Sequence, residues 1–409
     1  MDVVIVGGGA SGIIASIFAK NSYNRVIVLE KNSKPLKKLL MTGNGKCNYM
    51  NEVYSSKFYH SLDLSIVDKI LSSTNISTMQ EFFRQLGIVP KIKNGYYYPF
   101  SNQAKTMQEV LISEAESRGV EIICNCEVLE IEKRENSFLV YTNQENFSCD
   151  KLVLATGGCS YPKTGSDGWG YSFLKQIGHT LVDPLPALVP LVSNFSYSKE
   201  WDGVRSDVVL ELFEDGLYCA REEGEIQLTS YGISGICTFN LSHFVSRGLY
   251  DGKKEEIHIN FVPFIETLIT PWMDSYSKIC PNKNLGKLLR GFLNEKIVSV
   301  LLKTCKLSEN SFYRDLSLEE KAALCRSLRS FPIEIIGTKD FESAQISNGG
   351  VRLSEIDPKT MESTLIHGFY IIGELLDMNG NCGGYNLTTC WISGILAGGD
   401  IKNDTNSSN

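Results

Sequence analysis

The chain has 409 residues, 43% of them hydrophobic and 10% aromatic, which is enough apolar material for packed cores and a length suited to roughly two to three domains. Its formal net charge of −7 argues against a general basic footprint for nucleic acid, and its 12 cysteines include no C-x-x-C pair, so neither a zinc ribbon nor a disulfide framework is expected. No apolar run approaches the length of a membrane span, and the opening strand carries neither a basic n-region nor a cleavage site, so the expectation is a cytoplasmic protein with buried, reduced thiols, no membrane partner and no metal.

Residues 2–30 read DVVIVGGGASGIIASIFAKNSYNRVIVLE. The β-branched run Val3 to Val6 predicts a strand that ends in Gly7, Gly9 and Gly12. An apolar helical segment follows to about Lys20, and a second strand, Arg25 to Leu29, ends in Glu30. Gly7 suits the tight turn, Gly9 lets a phosphate approach the backbone, and Gly12 lets helix and strand pack closely. Ala10 and Ser11 open the helix, whose free N–H groups and positive dipole end suit a pyrophosphate. Glu30 suits the ribose hydroxyls. Strand, helix, second strand and acidic end together make this G-x-G-x-x-G a dinucleotide site, but they do not choose between NAD and FAD. Soon after the second strand comes MTGNGKCNYMN, residues 41–51, too polar for core and too rich in glycine for regular structure.

Residues 101–118, SNQAKTMQEVLISEAESR, predict a helix with Ser101 as its N-cap. The runs VEIICNCEVLEIEK, SFLVYTN, NFSCD and KLVLATGG predict strands, the last ending in Ala155, Thr156, Gly157 and Gly158. A helix, a small antiparallel excursion and a return strand form a unit typical of flavoproteins in which a single Rossmann domain holds FAD. From about Leu188 the pattern changes. Alternating runs such as DVVLELFED and EEIHINFVP within 189–262 predict an antiparallel barrel or sandwich. Pro281 to Ser330 is helical by spacing, with Ser317 and Glu320 forming a capping box, and 332–353 look like strands rejoining the barrel.

Residues 368–398, GFYIIGELLDMNGNCGGYNLTTCWISGILAG, predict a strand ending in Gly373 and Glu374, a polar loop through Asp377, and a helix starting near Gly383, Gly384, Tyr385 and Asn386. Glu374 suits a ribityl hydroxyl, and the helix start suits the pyrimidine edge of a flavin; a plain strand–turn–helix is the other reading. The polar tail DIKNDTNSSN is expected to fray. The expected architecture is α/β: a Rossmann-type FAD-binding domain, discontinuous over residues 1–188 and 354–409, with an inserted β-barrel-like substrate domain over 189–262 and 332–353 and a small helical subdomain over 263–331.

The stretches LEKNSKPLKKLLMTGNGKCN, LVLATGGCSYPKTGSDGWGYSFLKQIGHTL, ALVPL, NGGVRLSEIDPKTMES and GFYIIGELLDMNGNCGGYNL together resemble one family, the bacterial NAD(P)/FAD-dependent oxidoreductases of the YhiN/BaiN-like group. That group includes 3-dehydro-bile-acid Δ4,6-reductases, and its relatives include aminoacetone oxidases. The likeness runs from Asp2 to about Gly399 and is weakest between Ser193 and Phe331. It implies that Gly43, Asn44, Gly45, Lys46, Cys47 and Asn48 lie along FAD, with backbone N–H groups reaching the cofactor as a nest. Lys46 stands where arginine is commoner, which keeps the charge and loses the planar fork. Lys37 and Lys38 either neutralise the pyrophosphate or are solvated surface lysines, and Lys31 and Val128 complete the implied cofactor wall. The family's D-G-D-C-G-G-Y-N reads NGNCGGYN here, so Asn379 and Asn381 replace two carboxylates near the expected flavin edge. Tyr97 to Pro99 line the flavin pocket or, as the preferred reading, form an ordinary aromatic cluster.

The resemblance implies an FAD-dependent oxidoreductase. The preferred reading is reduction of an activated C=C or C=O of a small apolar substrate, such as a steroid-like or bile-acid-like enone. The alternatives are an oxidase of small amines or aminoketones that releases hydrogen peroxide, and an FAD-binding RNA-modifying or regulatory protein. The insertion has no G-x-G-x-x-G of its own, so NAD(P)H is expected only as a transient electron donor. Tyr385 and Tyr161 are candidate proton donors. Cys47 and Cys382 are candidate catalytic thiols, with small residues packed beside flavin as the preferred reading. His179 is read as packing at a helix end, and His367 lies beside a motif. The oligomeric state is open.

Overall fold

The N-terminal β-branched run is strand β1 (Asp2–Val6), and Val3, Val4 and Ile5 are fully buried. A strand that is apolar at every position, rather than at alternate ones, must be covered on both faces, as in a parallel α/β sheet. The computed structural model, which describes residues 1–407, shows that sheet. β1 is flanked by β2 (Arg25–Glu30) and then β3 (Glu121–Cys124) on one side, and by β4 (Lys151–Leu154) and β5 (Phe369–Ile371) on the other. All four pairings are parallel, with Val4 opposite Ile27 and Leu152. The strand order reverses between β1 and β4, which opens a crevice at their carboxyl ends. Between β3 and β4 the chain makes the expected three-stranded antiparallel excursion, Val128–Lys133, Phe138–Thr142 and Phe147–Cys149.

The helix after β1, α1 (Ala10–Ala19), is packed along α2 (Tyr385–Ser407), from the other end of the chain. Glycines make this approach feasible. A β-carbon on Gly394 would lie 2.7 Å from the Ser11 carbonyl oxygen, and one on Gly398 would lie 2.5 Å from that of Ala15. The tail expected to fray is helical from Asp400 to Ser407, and its last two residues lie outside the described residues.

Ser101 is not a helix N-cap. That helix spans Ala104–Ser117 with Gln103 as N-cap, because Asn102 takes a left-handed turn (φ 54°) before helical geometry starts. Ser101 Oγ instead accepts from the Gln103 amide at 3.3 Å. Two features carried no clear signal in the sequence. Tyr96–Pro99 is the central strand of a small sheet with Met50–Asn51 and Pro90–Lys93, and helices Leu64–Ser72 and Ile76–Gln85 precede it.

The chain packs as two compact units, Met1–Pro186 with the stretch from Gln345 onward, and Ala187–Ala344. The second is built on a closed six-stranded barrel: Leu191–Ser193, Gly232–Ser234, Leu217–Thr229, Arg205–Glu214, Glu255–Asn260 and Phe331–Thr338. Closure leaves no exposed edge strand. Inside the stretch expected to be all strand lies a helix, Ile236–Tyr250, whose aromatic and β-branched content masked its period. Helices Leu285–Leu289, Glu295–Thr304 and Leu318–Arg329 form the helical block, the last with the capping box of Ser317 and Glu320. Ile346–Val351 does not rejoin the barrel; it pairs with Leu181–Ala187 in the other unit.

Glu255 is buried in the barrel unit, and neither carboxylate oxygen has a hydrogen-bond partner among the described residues. It fills the space where Gly248 has no side chain. Burial first, and then negative Glu214, push its pKa up to about 7, against the pull of Lys253 and with Asp215 adding to the rise.

Two outcomes are expected. Gly398→Val should destabilise the protein by about 1–3 kcal/mol through overpacking against α1, read as a lower urea midpoint at unchanged m-value. For Glu255, a folded pKa raised above the unfolded one means that stability falls as pH rises from about 4.5 to about 7, at ~1.4 kcal/mol per unit, and then levels off. Glu255→Gln should therefore exceed the wild type in Tm at about pH 8 and lose that advantage near pH 4.

Candidate functional site

The groove lies where the carboxyl ends of β1, β2, β4 and β5 converge. Gly7 turns sharply at φ +107°, and a β-carbon there would meet the Ala155 carbonyl oxygen at 2.4 Å. A β-carbon on Gly12 would lie 2.0 Å from the Gly7 carbonyl oxygen, so only glycine lets α1 start this close to β1. Above Gly9 the space is open, with the nearest neighbour of a β-carbon 3.9 Å away. No side chain caps α1, so its first amides face the groove beside Ala10 and Ser11. Thr156 Oγ1, also on the groove wall, is shielded from water and has no hydrogen-bond partner among the described residues. An open glycine cradle, an uncapped helix start and an orphaned hydroxyl fit a dinucleotide whose pyrophosphate lies at α1. Roughly 1370 Å³ of unfilled space, open mouth included, lies along this wall.

Glu30 lines the same groove. Its Oε2 accepts from the Gly8 amide at 2.9 Å, and its Oε1 accepts from the amide and side chain of Asn32, both at 2.7 Å. Val128, Ala155, Gly157, Lys31, Lys38, Glu374 and Asn386 are also on the wall. Gly158 is packed behind it, where a β-carbon would meet Ser347 Oγ at 2.4 Å.

The lysines are engaged with protein partners. Lys38 Nζ lies 2.6 Å from both Glu374 Oε2 and Ser160 Oγ, and Glu374 Oε1 accepts from Ser160 Oγ and the Ser347 amide. Lys31 Nζ donates to Asp167 Oδ2 at 2.6 Å, Lys37 Nζ to the Lys163 carbonyl at 2.8 Å, and Asn32 Nδ2 to the Thr164 carbonyl at 3.0 Å. Segment 31–38 is thereby tied to segment 160–167. Burial raises the Asp167 pKa, but the Lys31 ammonium and the Trp169 amide outweigh it and hold the carboxyl below its usual value.

In the loop at 43–48, expected to form a nest, three of the backbone amides are spent within the loop. The amides of Gly45 and Cys47 donate to the Thr42 carbonyl and that of Lys46 to Gly43, at 3.0–3.2 Å, so the loop closes on itself. Gly43, Asn44, Gly45 and Cys47 all have positive φ, as such a turn requires, and Thr42 is its contribution to the groove wall. Lys46 is exposed, and the Asn48 amide lies against the Met50 and Tyr97 carbonyls, to which it donates when its nitrogen is turned toward them. Cys47 is fully buried, and burial pushes its thiol up to about 12, the opposite of an activated nucleophile.

In the C-terminal loop Gly373 (φ +72°) sits where a β-carbon would strike Ser11 Oγ at 2.5 Å, and Gly384 (φ +93°) where one would strike the Met50 carbonyl at 2.7 Å. Gly383 accepts from Asn51 Nδ2 through its carbonyl at 3.0 Å. Asp377 is buried away from the groove wall; its Oδ2 accepts from the Leu62 amide and Ser61 Oγ. Tyr385 is buried, stacked on Phe58 at 4.8 Å and edge-on to Tyr59 at 5.7 Å, and burial raises its phenol pKa. Tyr161 (φ 51°) starts the 3-10 turn Pro162–Thr164. Cys382 is half-buried, and none of Tyr161, Cys382 and Tyr385 is on the groove wall. Sequence reasoning missed Thr164–Asp167 and Trp169 on the wall, and the pair His60 Nε2 to Asn381 Oδ1 at 2.8 Å. His60 lies outside every motif, so no signal pointed to it.

The family described as HI0933-like protein Rossmann domain matches residues 1–400. The chain is 36% identical over 398 residues to a 3-dehydro-bile acid delta(4,6)-reductase of Clostridium scindens, covering 96% of this chain and 97% of the relative. It is 27% identical over 402 residues to a ribosomal RNA dihydrouridine synthase of Escherichia coli, covering 98% of each. Among solved structures, the 3-ketosteroid-delta4-(5alpha)-dehydrogenase of Rhodococcus jostii shares the fold, with a TM-score of 0.50 and 13% identity over 98% of this chain and 96% of that one.

The glycine geometry sets an expected outcome. Gly12→Ala places a β-carbon 2.0 Å from the Gly7 oxygen and must shift α1 away from the turn. Purified Gly12→Ala should carry under a tenth of the dinucleotide of the wild type, read from the absorbance of released nucleotide per protein, an order-of-magnitude expectation for a displaced phosphate cradle.

Proposed function

Because this chain belongs to the HI0933-like Rossmann-domain family, we propose that it is an FAD-dependent oxidoreductase that reduces an activated C=C of a small apolar substrate, a steroid-like conjugated ketone. The full-length identity of 36% to a delta(4,6)-reductase carries this reading. The groove supports it, because segments from both ends of the chain, Val6 to Ser11 and Glu374 to Cys390, line one dinucleotide cleft.

Bound FAD supplies two-electron hydride chemistry. The chain's own residues do the holding. The Gly7–Gly9 turn and the α1 amides would bind the pyrophosphate, Glu30 would accept from ribose hydroxyls, and Thr156 Oγ1 would gain the partner it lacks. The first turn of α2, with Asn386 and Leu387 on the groove wall, would offer its positive end to the pyrimidine edge of the ring. NAD(P)H serves as a transient donor, since the sequence holds one G-x-G-x-x-G.

A second reading has a specific observation behind it. The relative named for ribosomal RNA dihydrouridine synthesis is matched over 98% of both chains. Uracil and a steroid dienone share a C=C conjugated to a carbonyl, so the same redox step serves both. The net charge of −7 favours the small molecule over RNA.

Anaerobic photoreduced holoprotein mixed with androsta-4,6-diene-3,17-dione should reoxidise faster than with buffer alone, and an oligouridylate should leave it reduced. Reoxidation by the oligouridylate alone, weakened steeply by salt, would replace the first reading with the second.

A further inference from the structure

The loop 379–384 is held at nearly every point. The Gly380 amide donates to Asn386 Oδ1 at 2.8 Å, and its carbonyl accepts from Asn386 Nδ2 at 2.7 Å. The Asn381 amide donates to the Phe58 carbonyl at 2.9 Å, and the Gly383 carbonyl accepts from Asn51 Nδ2 at 3.0 Å. Asn381 Oδ1 lies 2.8 Å from His60 Nε2, and because an amide oxygen only accepts, that nitrogen carries the proton. Burial keeps the His60 pKa below the usual imidazole value, partly offset by the bond to Asn381, so the ring is neutral near pH 7. With its oxygen fixed by His60, the Asn381 amide turns Nδ2 the other way. That nitrogen makes no hydrogen bond within the described residues, and the side chain is half-buried. A rigid loop thus presents one oriented, unused pair of N–H donors.

Its place beside the groove gives the donor a use: Asn381 is not itself on the wall, but Asn379 and Asn386, which flank it in the chain, are. Glu30, Asn32 and Val128 line the groove together with Met378, Asn379, Asn386 and Leu387. With the ring at the first turn of α2, as proposed above, a substrate beside it would lie on the side of Asn379, and Asn381 follows two residues later. Asn379 is paired backbone-to-backbone with His60, so the His60–Asn381 pair adjoins the wall at Asn379.

We propose that Asn381 Nδ2 binds and polarises the carbonyl oxygen of the substrate, and that His60 is the positioning residue that fixes its orientation. This rests on the reductase reading. A hydride from FAD reduced by NAD(P)H forms a C–H bond at the far carbon of the conjugated system. The π electrons shift through the chain of double bonds to the carbonyl oxygen, which becomes an enolate oxygen held by the Asn381 N–H. The enolate carbon then takes a proton from solvent, and the C=O is restored beside one fewer C=C, with FAD left oxidised. An amide suits this position because it donates to the oxygen as negative charge builds; a carboxylate there would repel it.

The test uses FAD holoenzymes with androsta-4,6-diene-3,17-dione and, in parallel, an oligouridylate. Two quantities are read: reoxidation rate after photoreduction, and the red shift of the dienone absorption on binding to oxidised enzyme. Asn381→Ala and Asn381→Asp should keep full flavin content yet lose roughly 10²-fold in reoxidation rate, and the red shift should vanish. His60→Ala should lose roughly 10-fold, and His60→Gln, whose amide N–H replaces the donor, should recover most of it. If Asn381→Ala loses flavin, near-isosteric Asn381→Leu is measured in its place, with the same losses expected. Wild-type rate and red shift in the Asn381 variants would overturn the proposal. Equal losses in His60→Ala and His60→Gln would overturn the positioning role. A wild type that reduces neither probe would overturn the reductase reading itself, a result distinct from slow variants beside an active parent.

Discussion

The architecture depends on backbone approaching backbone where no side chain fits. Missing β-carbons at Gly7, Gly12, Gly394 and Gly398 would each lie within 2.7 Å of a carbonyl oxygen: those of Ala155, Gly7, Ser11 and Ala15 in turn. The first two set α1 against the end of β1. The other two set α2 against α1. One helix is thereby fixed on both sides, and its uncapped start is the point toward which the groove converges. A single methyl at any of these sites costs more than lost contact, because the atoms it meets are main chain and cannot rotate aside. Segments separated by most of the chain thus meet at the start of α1 through sterics, before any charge is considered.

What the sequence showed clearly was local. The strand, glycine turn, helix and second strand at residues 2–30 follow from period and glycine spacing alone, as does the capping box at Ser317. The return of the chain at Phe369 was legible because an apolar run ended in a second glycine turn. Residues 43–48 were not legible in the same way. Composition shows that the loop bends, but not which way its amides point, and here those of Gly45, Lys46 and Cys47 turn inward to Thr42 and Gly43. Pairings such as Lys38 with Glu374, or His60 with Asn381, link residues more than 300 positions apart, and no local pattern encodes them. Helix Ile236–Tyr250 was hidden for a different reason: its residues favour strands by propensity, and packing on the barrel overrides that preference.

A second constellation shows why geometry needs a cavity before it implies chemistry. Ser363 Oγ lies 3.0 Å from His179 Nε2, and His179 Nδ1 lies 2.9 Å from Glu355 Oε2, the spacing of a serine hydrolase triad. Here Ser363 Oγ already accepts from the Leu365 and Ile366 amides, both at 3.1 Å, and serine and histidine are buried. An oxygen with both lone pairs engaged and no room for an acyl group is not a nucleophile. The three residues join the chain just after helix Trp169–Gln176 to the stretch that leads into β5, so His179 is a structural crosslink, in line with its reading as packing at a helix end.

Charge in the groove follows from the same count of partners. Lys31 and Lys38 each face a carboxylate at 2.6 Å, and Lys37 donates to the Lys163 carbonyl, so none of the three is an unpaired cation waiting for phosphate. A pyrophosphate placed at α1 is therefore met mainly by backbone N–H groups. Hydrogen bonds from neutral donors to a charged acceptor contribute about 1.5–3 kcal/mol each, against roughly 0.3–1 kcal/mol for the helix dipole in an exposed setting. A few amides thus outweigh the dipole. Amides work only if the phosphate can reach them. Gly9 keeps that path open, since a side chain there would occupy the space the phosphate needs, and Gly12 sets how near the helix begins.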